Sequence, residues 1–108
     1  MIAYVANDNV IHFEGGSTIN LSTGQPSYLN AAATVQFRVQ TQAYVDVPGQ
    51  SWPAVMTWIS GSDGHFIGVL RAAVELEDDT EYRFIATVDN GVDQDALYDI
   101  PLHARHRS

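Results

Sequence analysis

Apolar and polar residues take turns along much of this chain, and the repeat is two residues rather than the 3.6 of a helix. The clearest run is Ala31 to Thr41 (A-A-A-T-V-Q-F-R-V-Q-T), where Val35, Phe37 and Val39 fall on one side and Gln36, Arg38 and Gln40 on the other. Successive side chains of a strand point to opposite faces, so this run predicts a half-buried strand with one wet face. Glu81 to Asp89 repeats the pattern: Tyr82, Phe84, Ala86 and Val88 alternate with Arg83, Ile85 and Thr87. Ile85 is apolar yet out of phase with Phe84, so its facing is left open. Trp52 to Ser60 sets Val55, Thr57 and Ile59 against Met56 and Trp58. Pro53 near its start has no N–H for a ladder and marks an edge or the first residues of a strand. Gly61-Ser62-Asp63-Gly64 is a hairpin turn, and His65 to Leu70 (H-F-I-G-V-L) is the return strand. Gly68 inside that strand predicts a bulge or a close backbone approach.

Shorter segments fit the same scheme. Met1 to Val5 and Val10 to Glu14 read as strands separated by Asn7-Asp8-Asn9, whose side chains bond their own backbone in turns. Ser17 to Asn30 is loop-like, with Gly24 and Pro26 as breakers and a short edge strand over Ile19 to Leu21. Ala43 to Val47 continues as a second short strand up to Pro48-Gly49. Ala96 to Arg105 is the final strand, interrupted by Pro101, after an Asn90-Gly91 turn. Helical turns are conceivable over Ser27 to Ala33 and Arg71 to Leu76, but neither is long enough to stand as a helix. The prediction is an all-β, single-domain antiparallel β-sandwich of immunoglobulin-like kind with about seven short strands. It occupies residues 1–108, with a short basic tail over 103–108. The expected core draws on Ile11, Phe13, Val35, Phe37, Val39, Trp58, Phe66, Leu70, Tyr82, Phe84, Ile85 and Val88.

Composition narrows the functions. With 45% hydrophobic and 17% charged residues in 108, the chain is an ordinary globular domain. It has no cysteine, which removes disulfides, thiolate metal sites and cysteine nucleophiles. No apolar run reaches the roughly 18 residues of a membrane span. The start M-I-A-Y-V-A-N-D has neither the basic segment nor the apolar stretch of a signal peptide. The net charge is −8, from 13 acids against 5 basic residues, all of them arginine. Such a surface repels phosphates, so no nucleic-acid partner is expected. The charge is uneven: E-L-E-D-D-T-E over 75–81 is acidic, extended by Asp89, Asp93, Asp95 and Asp99, while H-A-R-H-R-S at the end is basic. An acidic body and a basic tail are able to pair head to tail in an assembly.

Candidate chemistry is thin. Of the four histidines, His103 and His106 are the only local pair, and a spacing of three puts them on opposite faces of a strand. His12 lies on a wet strand face, His65 follows the hairpin turn, and neither has a neighbour at zinc-ligand spacing in the sequence. Asp63 sits in a glycine turn without the D-x-D-x-D-G pattern of a calcium loop, and the acidic run alone argues no site. There is no G-x-S-x-G, no phosphate-cradling glycine motif and no carboxylate pair placed across a cleft. The expectation is therefore no enzyme, no catalytic residue, no cofactor, no metal site and no small-molecule substrate. Trp52, Trp58, Tyr44, Tyr82 and Tyr98 remain as large amphipathic side chains. Trp58 and Tyr82 fall in strong strands and read as core. Trp52 and Tyr98 lie by turns or edges and read as interface, and with Tyr44 they are the basis of an alternative carbohydrate- or host-surface-binding module.

N-D-N-V-I-H-F, W-P-A-V-M-T-W-I-S-G-S-D-G-H-F-I-G-V-L, Y-R-F-I-A-T-V-D and Y-D-I-P-L-H-A-R together resemble small virion-associated proteins of tailed bacteriophages and prophages. The resemblance covers most of the chain and brings no catalytic residues with it. It implies a non-enzymatic virion structural protein: a head decoration, head–tail junction or tail accessory component, made in the bacterial host cytoplasm. The implied partners are other virion proteins and copies of itself, with no membrane involved. Candidate interface residues are Met1, Ile2, Tyr4, Trp52, Tyr98, His103, Arg105 and Arg107. The first strand is expected to add to a neighbour's sheet edge and the tail to reach an acidic patch on the next subunit.

Overall fold

A computed structural model describes residues 1–14, 17–19, 26–29, 33–89 and 96–106. Its strands are β1 (Ile2–Tyr4), β2 (Asn9–Phe13), β3 (Ser17–Ile19), β4 (Pro26–Tyr28), β5 (Thr34–Gln40), β6 (Ala54–Trp58), β7 (Phe66–Leu70), β8 (Thr80–Asp89) and β9 (Ala96–Arg105). The chain is all-β as expected, and among the described residues no helix is long and apolar enough to cross a membrane. Seven strands form one sheet in the order β1-β9-β8-β5-β6-β7-β2, while β3 and β4 pair separately. Neighbours run antiparallel except β1, which lies parallel to β9 with Ile2 opposite His103 and Tyr4 opposite Arg105.

The sheet folds over on itself at β6. Ala54 to Met56 pair with Phe37 to Val35 of β5, and Thr57 and Trp58 pair with Ile67 and Phe66 of β7. One strand thus serves two layers, and the sheet is mostly closed, close to a barrel. The two outer edges, β1 and β2, are joined by a side chain. Asn9 Oδ1 accepts from Tyr4 N at 2.9 Å and Asn9 Nδ2 donates to Tyr4 O at 3.0 Å. An amide carries the same donor and acceptor as a peptide unit, so Asn9 stands in for a ladder bond where two edges meet. Below it, the Phe13 and Tyr98 rings meet edge to face at 5.0 Å, linking β2 to β9.

The period-two pattern decides which side chains go in. Val35, Phe37 and Val39 are buried, as are Tyr82, Phe84, Ala86 and Val88. Phe37 stacks on Phe84 at 5.3 Å and meets Trp52 edge to face at 5.8 Å. Each fully buried aromatic of this kind contributes about 1.5–3 kcal/mol. Ile85 faces outward and is nonetheless only 7% exposed. Trp58, expected in the core, is half-buried at its margin, where Nε1 donates to Ser62 O at 3.2 Å. Loops add Val47, Val74 and Leu76, and Leu29 precedes β5; these lie outside clear alternation. Gly68, expected to mark a bulge or a close backbone approach, admits side chains instead, since a Cβ there would stand 2.8 Å from Phe37 Cε1 and 3.2 Å from Met56 Cγ. Gly49 has φ +113°, and a Cβ would fall 2.0 Å from the Ala73 carbonyl oxygen. Only glycine lets that segment lie so close to residues 73–74.

Two local expectations are corrected. Ala43 to Val47 is a turn, not a strand. Thr41 Oγ1 accepts from Ala43 N and Val45 N, Tyr44 takes φ 62°, and one bridge, Gln40 to Asp46, remains of the pairing. A side chain that gathers backbone N–H groups competes with a ladder. Pro101 does not interrupt β9, which pairs with β8 throughout. His103 N donates to Met1 O, so the N–H positions of that register point at β1. Pro101, two residues earlier, lies on the same side before β1 begins, where no donor is needed. Of the Ile19 to Leu21 edge strand, Ile19 falls in β3, and residues 20 and 21 lie outside the described residues, as does the Asn90-Gly91 turn.

Candidate functional site

The hairpin of β6 and β7 fixes His65. Ile59 N donates to His65 O at 2.8 Å, and the Ser62 hydroxyl, which donates to Ile59 O at 2.6 Å, accepts from His65 N at 3.3 Å. The pairing of β2 with β7 then sets Phe13 opposite Phe66 and His12 opposite Ile67. Both phenylalanines point in. His12 in β2, Glu14 just past its end and His65 just before β7 therefore fall on the outer face. Their side chains converge: His12 Nδ1 lies 2.9 Å from His65 Nε2, and His65 Nε2 lies 3.6 Å from Glu14 Oε1. The two rings are tilted by 56° with centroids 5.2 Å apart. Linear spacing left every histidine without a ligand partner. The fold corrects this, because the partners are 53 residues apart and come together only through strand pairing.

His103 has a different setting. It lies opposite Glu81 across the β8–β9 pair, with Nδ1 against Glu81 Oε1 and Nε2 3.2 Å from Asp79 Oδ1. His106 N donates to Asp78 Oδ1 at 2.7 Å. The basic tail thus meets the acidic run of its own chain. The first strand is likewise engaged at home, since β1 adds to β9 and Val5 N donates to Arg105 O at 2.9 Å.

The remaining candidates divide into outward and inward. Met1, Ile2 and Arg105 are exposed, and Tyr4 is half-buried beside Asn9. Trp52 is turned toward the core, its Nε1 donating to Val47 O at 2.6 Å, and Tyr98 packs on Phe13. Arg107 lies outside the described residues. Of the three aromatics of the carbohydrate reading, only Tyr44 presents itself to solvent, and the Arg83 guanidinium sits 4.4 Å over its ring. A cation already covers the one open ring face. Asp63 is exposed on its turn.

The two outer faces of the sheet differ. On β9-β8-β5, Arg83 binds Asp99 at 2.8 Å, Arg38 binds Asp46 at 3.2 Å and Gln40 Nε2 donates to the same Asp46 at 2.9 Å. On β6-β7-β2, Val10 lies opposite Val69 and Thr57 opposite Ile67. With Val55 they line a shallow groove rimmed by Gln50 and Arg71. Val10 and Val55 are 59% and 66% exposed. Sequence reading put Val55 on the face opposite Met56 and Trp58 but had no means to set it beside Val10, which lies 45 positions earlier.

Comparison of the chain with protein-family models, with curated proteins and with solved structures finds no match.

Proposed function

We propose that the chain is a non-enzymatic structural protein of a bacteriophage virion, built as an immunoglobulin-like β-sandwich and working through protein–protein contacts with copies of itself and with other virion proteins. The observation that carries this reading is the valine stripe. Val55, Val69 and Val10 run across three adjacent strands on an outward face. An exposed row of β-branched residues spanning several strands suits a flat protein partner better than solvent. The resemblance of the strand sequences to virion-associated proteins supports the setting.

Two features support the finer fold. The order β1-β9-β8-β5, followed by β6-β7-β2, corresponds to an immunoglobulin-like Greek key in which the middle strand is shared by both layers. Tyr82, near the start of β8, accepts a hydrogen bond from Glu77 N at 2.9 Å, five residues upstream. A buried tyrosine tied back to the preceding loop at this place is the corner motif of such sandwiches.

The test is light scattering coupled to size exclusion on the full chain and on the double variant Val10→Asp, Val55→Asp. Self-association in the parent chain and a monomer in the variant, with an unchanged melting temperature, are the expected results. A parent chain that stays monomeric at high concentration and at both low and physiological salt overturns the self-docking reading. So does a variant that associates as the parent does.

A further inference from the structure

We infer that His12, Glu14 and His65 form a binding site for a divalent transition-metal ion of the zinc type. The ligand atoms would be His12 Nδ1, His65 Nε2 and a Glu14 carboxylate oxygen, which all lie within 4.8 Å of one another. Two imidazoles and one carboxylate are a donor set that zinc takes with three protein ligands and a fourth position left for water. Imidazole nitrogen selects zinc, copper or nickel over magnesium and calcium, which prefer oxygen.

The geometry fits without rearrangement of the backbone. With metal–ligand distances near 2.05 Å, a tetrahedral site puts neighbouring ligand atoms about 3.3 Å apart. The observed separations, 2.9 Å between the two nitrogens and 3.6 Å from His65 Nε2 to Glu14 Oε1, bracket that value. The third separation, between His12 and Glu14, is within 4.8 Å, and rotation of the exposed Glu14 side chain brings its carboxylate to the same distance. The supporting backbone is held in place: β2 pairs with β7 up to Phe13 and Phe66, next to the site, and His65 is bonded through its carbonyl to Ile59 and through its N–H to Ser62. His12, mounted on a paired strand, loses little further freedom when a metal arrives. This inference is independent of the virion reading and stands or falls by itself.

The experiment is calorimetric titration of the full-length chain with zinc chloride, repeated with magnesium chloride and with the variants His12→Gln, His65→Gln, Glu14→Gln and His103→Gln. One zinc per chain and no response to magnesium are expected. Each of the first three variants should weaken zinc binding at least about tenfold, the lower end of what even an outer-shell partner is worth. His103→Gln should leave it unchanged, since His103 belongs to the separate Asp79 and Glu81 cluster. To separate binding from folding, cobalt is added to the parent chain and its paramagnetic broadening of backbone amide signals is mapped. Broadening centred on residues 12–14 and 65 supports the site. Broadening centred on 79–81 and 103–106, zinc affinity unaltered in His12→Gln, or absence of zinc binding in the parent chain overturns it.

Discussion

The two outward faces of this sheet solve the same problem in opposite ways. The β9-β8-β5 face is finished within the chain: Arg83 with Asp99 and the Tyr44 ring, Arg38 and Gln40 with Asp46, His103 with Glu81 and Asp79. The β6-β7-β2 face is left open. It carries exposed valines, and His12, Glu14 and His65 gather at one end of it. The first arrangement satisfies charge locally, while Leu97 on the same face stays 66% exposed. The second leaves apolar area and lone pairs available, and both proposals, protein docking and metal binding, fall on that face. The difference teaches that the net acidity of the chain does not mark the open face, because among the described residues most of the ion-paired acids lie away from it.

Four perturbations sharpen the contrast, from the largest effect to the smallest. Phe37→Ala removes the ring that lies beneath both layers, against Phe84 and Trp52. It should cost about 3–5 kcal/mol, read as a lower midpoint in urea unfolding, and it should disrupt both faces together. Loss of only one face's contacts would mean the layers are not coupled through this ring. Gly68→Ala presses a methyl against the Phe37 ring and Met56. The expected loss is about 1–3 kcal/mol in the same assay. An unchanged midpoint would mean the two side chains repack freely.

Tyr82→Phe deletes the acceptor for Glu77 N while keeping the buried ring. It should cost about 0.5–1.5 kcal/mol. Hydrogen exchange should show the Glu77 amide losing protection first. Protection retained there would place the amide with another acceptor. The smallest effects come from a matched pair of surface changes. Arg83→Ala on the closed face should cost about 0.2–1 kcal/mol, and less in high salt, as expected for a partly exposed ion pair. The Arg83 Nε has no acceptor among the described residues, which lowers the cost further. Val10→Thr on the open face should stay within about 0.5 kcal/mol. If Val10→Thr proves the more damaging in the isolated chain, the valine stripe serves the fold rather than a partner.

Legibility in the sequence followed the range of the interactions. The alternation in Val35–Phe37–Val39 and in Tyr82–Phe84–Ala86–Val88 foretold burial correctly, because facing in a strand depends only on parity. Residues 43–47 misled, since Thr41 offers the backbone a local alternative that propensity does not register. Trp52 could be placed beside a turn, but not its contacts: it is half-buried, with Phe37 edge to face and Nε1 on the Val47 carbonyl. The histidine site was invisible because His12 and His65 have no sequence relation to each other.

The sequence by itself determined that the chain is all-β, where most of its strands run, and which side of β5 and β8 faces in. Tertiary structure alone decided that β1 lies parallel to β9, that β6 passes from one layer to the other, that Asn9 joins the two edges, and that His12 and Glu14 meet His65. The physical reason is separation along the chain. Facing and turns are set by neighbours a few residues away, whereas the pairing partner of a strand is chosen by how distant segments pack once the loops between them have closed.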